Sequence, residues 1–234
     1  MPPGAHAMYA WIVFWWTYLV VGFGLCLLQR RRMLLDPNSS EHGRMHAGPV
    51  TTTSLAANLC WNALWSLVVV VLLDGNQVDQ RMDWGLCLPH RPMWWLCSTA
   101  GCLACQWVGS LLFAECITYY VHRLLHTSWC FARIHRQHHL FVKPNALAAL
   151  YGSPIETLLC HMPSLVVGPY LTGMSTLQLC IWAWAACVNS LCAHSGITDA
   201  SWGGAQHDLH HSRHRVNYSF LTLLDKVHGT YAHK

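Results

Sequence analysis

Long stretches without charge constrain this chain more than any other feature of its sequence. Residues 9–28, 53–73 and 93–114 contain no Asp, Glu, Lys or Arg, and each is long enough to cross a hydrocarbon core of about 30 Å as a helix. Charged residues make up only 10% of the chain, compared with about 25% in ordinary soluble domains. The sequence therefore predicts an all-α integral membrane protein.

A fourth uncharged stretch, residues 157–192, is interrupted by Pro163, Gly168, Pro169 and Gly173. Because proline removes a backbone donor and disrupts a helix interior, we expect a membrane hairpin that breaks near Gly168 and Pro169. With the three earlier stretches, this hairpin brings the prediction to about four transmembrane helices.

The distribution of charge predicts which way the chain crosses the membrane. Arg30, Arg31 and Arg32 follow the first stretch, and the positive-inside rule places them in the cytosol. An acidic loop between the second and third stretches would lie on the opposite side. Three crossings then return the chain to the cytosol just before His122.

Net charge and cysteine content exclude two other classes of protein. The net charge is only +4, and no basic tract is present that could follow a phosphate backbone, so nucleic acid is not an expected partner. Most of the 12 cysteines lie in apolar runs, where a thiol packs as a small hydrophobe. Cys102 and Cys105 form a single Cys-x-x-Cys pair within a predicted span, and we expect reduced thiols throughout.

Eight of the 17 histidines fall into three closely spaced motifs. His122 and His126 are four residues apart, so both side chains would project from one face of a helix that continues the third span. Residues 135–139 and 207–211 are two His-x-x-His-His motifs, whose histidines at positions i, i+3 and i+4 again share a helical face. Clustered neutral imidazoles suit Zn, Cu, Fe or Ni. This number of rings predicts a site for two metal ions.

From Glu115 to Thr230 the chain resembles the fatty acid hydroxylase and sterol desaturase superfamily of membrane di-iron oxygenases. Residues 119–126, 135–144, 193–196 and 207–230 are similar, in that order, to the family's first histidine box, its second box, its isolated histidine element, and its last box with the closing motif. The ending is most similar to the branch of sterol oxidases and cholesterol 25-hydroxylases. Ser153 departs from the family, which often has histidine there.

The resemblance implies a set of metal ligands in this chain. They are His122, His126, His135, His138, His139, His194, His207, His210 and His211. Such rings need acceptors for their second nitrogen, and Glu115, Asp208 and Asp225 are the candidates. Catalytic residues beyond the ligands stay unassigned.

The resemblance also implies a function. Two Fe ions would serve the hydroxylation or desaturation of a sterol or fatty-acyl lipid with O2, and zinc can replace iron in a purified sample. Electrons would come from NAD(P)H through a separate donor such as cytochrome b5 and its reductase. Residues 115–234 would be the catalytic region, a cytosolic helical metal-binding unit at the endoplasmic reticulum membrane, and would form a single functional domain with the spans of residues 1–114.

Two other classes of protein are weighed against this interpretation. A non-catalytic histidine-rich metal-binding or transport protein is the main alternative, although a transporter should place ionisable ligands at mid-depth in its spans. A bis-histidine cytochrome needs single histidines that face each other from separate spans. The histidines expected at the protein surface or at the membrane interface are His6, His42, His46, His90, His161 and His233. His214 and His228 lie close to the last box and are not assigned as ligands.

Overall fold

The computed structural model describes residues 5–35, 51–75, 99–196 and 204–233, and within these ranges the ordered elements are helical. The α-helices are α1 (Ala5–Leu35), α2 (Thr52–Gly75), α3 (Thr99–Leu125), α4 (Ser128–Cys130), α5 (Pro154–Glu156), α6 (Met162–Thr172), α7 (Thr176–Ser195), α8 (Gly204–Arg213) and α9 (Leu223–Val227). Two π-helical turns (Phe131–His135 and Thr157–His161) and two 3-10 turns (His138–Leu140 and Ala146–Ala148) lie between them. The predicted all-α class is confirmed.

Three described helices are long and apolar enough to cross a membrane. Their candidate spans are Met8–Arg31 in α1, Gly101–Leu125 in α3 and Thr176–Ser195 in α7. These segments make the protein an integral membrane protein. The predicted stretch 53–73 lies within α2, and its crossing of the membrane stays a prediction, as does the total of four spans. Residues 93–98 of the third stretch lie outside the described residues. Every described cysteine is a free thiol, as predicted.

Helices α1 and α7 run parallel and form the most extensive helix contact among the described residues. Near their N-terminal ends Ala10 packs in one apolar cluster with Trp182 and Ala183. At their C-terminal ends the Gln29 side-chain amide donates to the backbone carbonyl of Ser195. Both helices therefore end at the same side of the bundle, where α7 ends at Ser195 and where the last turns of α1 carry Arg30, Arg31 and Arg32.

Helix α3 runs antiparallel to α6 and contacts it closely. Thr118 donates to Ser164 over 3.1 Å, and the hydroxyls of Ser110 and Thr172 are 2.9 Å apart. Gly168 permits this approach, because a Cβ atom there would lie 2.7 Å from the Cα of Ser110. The C-terminal end of α3, which carries the first histidine pair, is thereby held at the same side of the bundle as the end of α7.

The predicted break of the hairpin near Gly168 and Pro169 is wrong. Both residues lie inside α6, and the turn comes later, where Gly173 adopts a left-handed conformation with φ of 71°. Ser175 then begins α7 with a capping box, in which its hydroxyl accepts from the Gln178 amide and its own amide donates to the Gln178 side chain. Gly168 serves close helix packing instead of a chain reversal.

The segment after the second histidine motif is recessed between the long helices. The Tyr18 hydroxyl on α1 donates to the Leu147 carbonyl over 2.6 Å. On α2, Asn62 donates to the Leu150 carbonyl and Asn58 to the Gly152 carbonyl, each over 2.9 Å. Irregular backbone at such a position must have its polar groups satisfied by protein. Side chains of α1 and α2 supply these partners and so hold this segment in place beside the histidine-rich region.

Replacing Gly168 by alanine should destabilise the protein, because the new methyl group would overlap the Ser110 backbone and separate α6 from α3. We expect a loss of roughly 1–3 kcal/mol, as for other overpacked sites. Unfolding of the purified protein in detergent would measure it. Gly24→Ala is the matched control, since a Cβ atom at Gly24 meets nothing within 4 Å. Equal stability of the two variants would contradict this account of the helix contact.

Candidate metal centre

The first histidine pair stands where α3 ends. His122 lies in the last turn of the helix and His126 directly follows it, and their ring centroids are 5.1 Å apart. The helical spacing of four residues thus brings both rings to one side, as predicted. The isolated His194 occupies the corresponding position at the end of α7.

The two His-x-x-His-His motifs are built differently from each other. Residues 207–211 lie within α8, whereas residues 135–139 pass from a π-helical turn into a 3-10 turn. The second motif therefore departs from the regular helix on which its spacing was interpreted. Its three rings still face inward, since His135, His138 and His139 are all buried.

All nine histidines implied by the resemblance come together in two adjacent groups. The five-histidine group consists of His122, His126, His135, His139 and His210. The four-histidine group consists of His138, His194, His207 and His211. Within each group the nitrogen atoms that can bind a metal all lie within 4.8 Å of one another. Nitrogens on opposite sides of one ion are about 4.2 Å apart when its bonds are about 2.1 Å.

The motifs are split between the groups in a way that the sequence pattern does not predict. His135 and His139 join the five-histidine group while His138 joins the four-histidine group. In the other motif the assignment is reversed, because the pair His207 and His211 joins the four-histidine group and His210 joins the larger one. Each motif thus sends its i, i+4 pair to one group and its middle histidine to the other.

Backbone carbonyls fix the orientation of five of the rings. The Nδ1 atom of each donates to a carbonyl oxygen at 2.7–3.2 Å; the pairs are His122 with Tyr218, His138 with Tyr151, His194 with Ser190, His210 with Val216 and His211 with Phe141. A carbonyl only accepts, so Nδ1 must carry the proton in these rings. Their Nε2 atoms consequently present bare lone pairs.

The Nε2 atoms point at one another. That of His135 lies 3.0 Å from those of His122 and His139, and that of His207 lies 2.8 Å from His194 and 3.0 Å from His211. Since several of these atoms have no proton, their lone pairs would repel across such distances. A cation bound between them converts this repulsion into coordination, so the donor set fits a metal ion in each group.

The rings are neutral, which metal binding requires. Burial lowers the pKa of His135 to about 3. Burial and the neighbouring histidines hold the pKa values of His138, His207, His210 and His211 well below the usual value. Protons therefore do not compete with a metal ion for these rings near neutral pH.

The acidic residues expected to support the rings have other positions. The carboxylate of Glu115 accepts from the backbone amides of Leu221 and Leu224 at 3.0 and 3.1 Å, so it anchors the C-terminal segment to α3 instead of a ring. Asp208 lies on α8, half-buried and near enough to His194 to act on it electrostatically.

Asp225 supports a ligand only indirectly. Its buried carboxylate accepts from the amides of Tyr218 and Ser219 and from the hydroxyls of Ser219 and Thr230, at 2.7–2.9 Å. These bonds fix the turn whose Tyr218 carbonyl orients His122. The expected contact of Glu115 and Asp225 with a ring is thus replaced by backbone anchoring, because carbonyls fill the positions behind the rings.

Sequence reasoning missed Glu156, which is buried and places Oε1 3.1 Å from Nδ1 of His135. The signal that marks it is its position as a lone charge at the edge of the uncharged stretch 157–192, since a charge in an apolar setting is costly without a role. His161, expected at the surface, also faces Glu156 and keeps only 28% of its side chain exposed.

Other histidines lie outside the two groups. The His214 ring is 4.7 Å from that of His139, centroid to centroid, and His228 stacks on Tyr119 and pairs with the Tyr120 hydroxyl. His233 is exposed, as predicted. His42, His46 and His90 lie outside the described residues, as does the side chain of His6.

Fold and site together define a class, the helical membrane proteins that carry a histidine-rich metal-binding centre. Residues 107–230, more than half of the chain, match the fatty acid hydroxylase family. The chain belongs to that family, and the predicted resemblance is confirmed.

Curated relatives extend the comparison. The chain is 32% identical over 120 residues to a human fatty acid hydroxylase domain-containing protein, covering 51% of this chain and 36% of the relative. It is 33% identical over 133 residues to a putative methylsterol monooxygenase of Dictyostelium discoideum, covering 53% and 49%. A sphinganine C4-monooxygenase of Arabidopsis thaliana is 22% identical over 237 residues, covering 94% and 84%.

The chain therefore spans half or less of the length of the first relatives it matches. No solved structure matches it.

The number of metal ions bound per chain should depend on which of the two histidine groups is intact. Purified full-length protein loaded anaerobically with Fe²⁺ should hold about two ions per chain, since imidazole sets of this size suit iron. His207→Ala leaves three ligands in the four-histidine group, and the double variant His122→Ala, His210→Ala leaves three in the five-histidine group. Because a group that lacks part of its ligand set holds its ion less tightly, each variant should lose about one ion on dialysis against a chelator, as measured by elemental analysis.

The exposed His233→Ala is the matched control and should retain the full content. Loss of all metal from His207→Ala alone would contradict two separately filled groups.

Proposed function

We propose that this protein is a membrane-bound oxygenase that hydroxylates or desaturates a sterol or fatty-acyl lipid. The observation that carries the proposal is the convergence of nine buried or half-buried histidines, in two groups that each fit a metal ion, at the ends of two membrane-crossing helices. Membership of the fatty acid hydroxylase family supports the same function.

We assign two iron ions as the cofactor, with the nine histidines as their ligands. Iron in a histidine site supplies the activation of O2 that attack on an unactivated C–H bond requires. Zinc fits the same nitrogen donors and can replace iron during purification.

The residues of the chain itself perform three tasks in this proposal. Burial and neighbouring rings keep the histidines unprotonated. The carbonyls of Tyr218, Tyr151 and Phe141 orient the rings before any ligand arrives. The recessed segment held by Tyr18 and Asn62 closes the centre from the side of the long helices. These features exclude bulk water, which protects reactive oxygen chemistry from side reactions.

A lipid substrate agrees with the position of the site. Because His122 and His194 stand at the ends of apolar helices, a lipid can approach the centre from the bilayer without crossing water. Two relatives are named for lipids of this kind, a putative methylsterol monooxygenase and a sphinganine C4-monooxygenase. We therefore propose a long apolar lipid, with a sterol as the first class to test.

Electrons would come from NAD(P)H through a separate donor such as cytochrome b5 and its reductase. The exposed Arg133 and Arg136 lie beside His135, and a basic surface there suits an acidic protein donor.

We propose residence in the endoplasmic reticulum with the histidines in the cytosol. The end of α1, with Arg30 and Arg31 exposed, lies on the side of the histidine groups, which agrees with the positive-inside rule. In this topology residues 9–28, 53–73 and 93–114 are spans, and residues 115–234 are the catalytic region with a membrane hairpin at 157–192.

Cells that express the protein should accumulate a lipid with one added oxygen or two fewer hydrogens. Mass spectrometry of sterols, sphingolipids and fatty acids would detect it. His138→Ala and His210→Ala remove one ligand from each group, and each should abolish the product at matched expression. Removing one member of a catalytic unit usually costs about as much activity as removing all of them.

His233→Ala is the matched control and should give the unmodified yield, because this ring is exposed and lies outside both groups. Identical lipid profiles for all variants, with metal retained in the unmodified protein, would favour the non-catalytic metal-binding alternative.

A further inference from the structure

Glu156 is a buried carboxylate that the proposed chemistry does not use. It ends the short helix α5 and is 1% exposed. A carboxylate removed from water in this way is costly unless it is paired. Its surroundings should therefore show what it is for.

Two histidine rings face Glu156. Its Oε1 atom lies 3.1 Å from Nδ1 of His135 and 3.7 Å from Nε2 of His161. Nδ1 of His135 is buried and makes no hydrogen bond among the described residues, so this carboxylate, which lies at ion-pair distance, is the group that can balance it. On its opposite side the His135 ring presents Nε2 to His122 and His139. The carboxylate thus stands directly behind the central ring of the five-histidine group.

The chain holds the carboxylate in this position through its neighbours. The Ser153 hydroxyl accepts from the Glu156 amide and caps α5. Gly152 leaves the room that the carboxylate occupies, because a Cβ atom there would lie 2.9 Å from Oε2. Asn58 and Asn62 on α2 both donate to the Gly152 carbonyl. Glu156 is therefore positioned by a network that begins on a long apolar helix.

A carboxylate behind a ring differs physically from a carbonyl. Five of the nine rings have a neutral backbone carbonyl at Nδ1, whereas His135 has an acid. A carboxylate that accepts the second N–H makes the imidazole a more basic metal ligand and fixes its tautomer. A carboxylate on one side of the His135 ring and a cation on the other side attract each other through the ring, so each favours the presence of the other.

We propose that Glu156 is a positioning residue that holds the His135 ring through Nδ1 and selectively strengthens metal binding by the five-histidine group. The proposal rests on the assignment of the nine histidines as metal ligands under the proposed function. It does not depend on the identity of the lipid.

The test measures metal affinity, with Co²⁺ as a spectroscopic probe, in full-length protein in detergent. In a His207→Ala background only the five-histidine group keeps its ligands, and adding Glu156→Gln, which keeps the size but removes the charge, should weaken Co²⁺ binding by about 10–100-fold. In the His122→Ala, His210→Ala background, where only the four-histidine group is complete, the same substitution should leave the affinity unchanged.

Equal losses in both backgrounds, or no loss in either, would overturn the proposal, and so would a His207→Ala protein that binds no ion. Helix content and thermal unfolding would be compared for each pair. Should Glu156→Gln fail to fold, Gly152→Ala decides the matter in the same two backgrounds, because its methyl group would displace the carboxylate. It should produce the same selective loss, and an unselective one would contradict the proposal. A protein that makes no lipid product still gives these titrations, so failure of the proposed function is distinguished from failure of this inference.

Discussion

The structure depends on the hydrogen bonds that hold histidine rings from behind. A ring whose Nδ1 donates to a carbonyl has one orientation and one tautomer, and its Nε2 is committed to the centre of the site. The carbonyls of Phe141, Tyr151, Val216 and Tyr218 come from connecting segments instead of long helices. Those segments must therefore be fixed as firmly as the helices, and Tyr18 on α1 and the carboxylate of Asp225 serve this purpose.

Each His-x-x-His-His motif contributes histidines to both groups, and this sharing links the parts of the site. His138 and His139 are adjacent in the chain but face different groups, as do His210 and His211. Neither group can assemble without both His-x-x-His-His motifs, so the assembly of one group also positions histidines of the other. Metal binding to such a site contributes to folding because the ligands converge only in the native state. The helix contacts of Gly168 and of α1 with α7 bring together the ends on which this assembly occurs.

The sequence predicted those features that depend on residue type and spacing. Uncharged length predicted the apolar helices, and the histidine spacings with the family resemblance predicted all nine converging rings. Features that depend on tertiary packing were not predictable. Gly168 and Pro169 resemble a helix break but serve the close contact with α3, and Glu115 resembles a ring partner but binds backbone amides. Every residue has a carbonyl, so no pattern marks those that orient rings.

The two groups are not equivalent, because they differ in the residues behind their rings as well as in the number of ligands. In the five-histidine group a carboxylate lies behind the central ring, His135. In the four-histidine group the central ring is His207, and the two rings next to it, His194 and His211, have neutral carbonyls at Nδ1. Equal cations in the two positions would then experience different negative charge, because Glu156 is buried behind a ring whereas Asp208, near His194, is half-buried and therefore more screened by solvent. An asymmetric pair of sites follows from the placement of Glu156, before any substrate is bound.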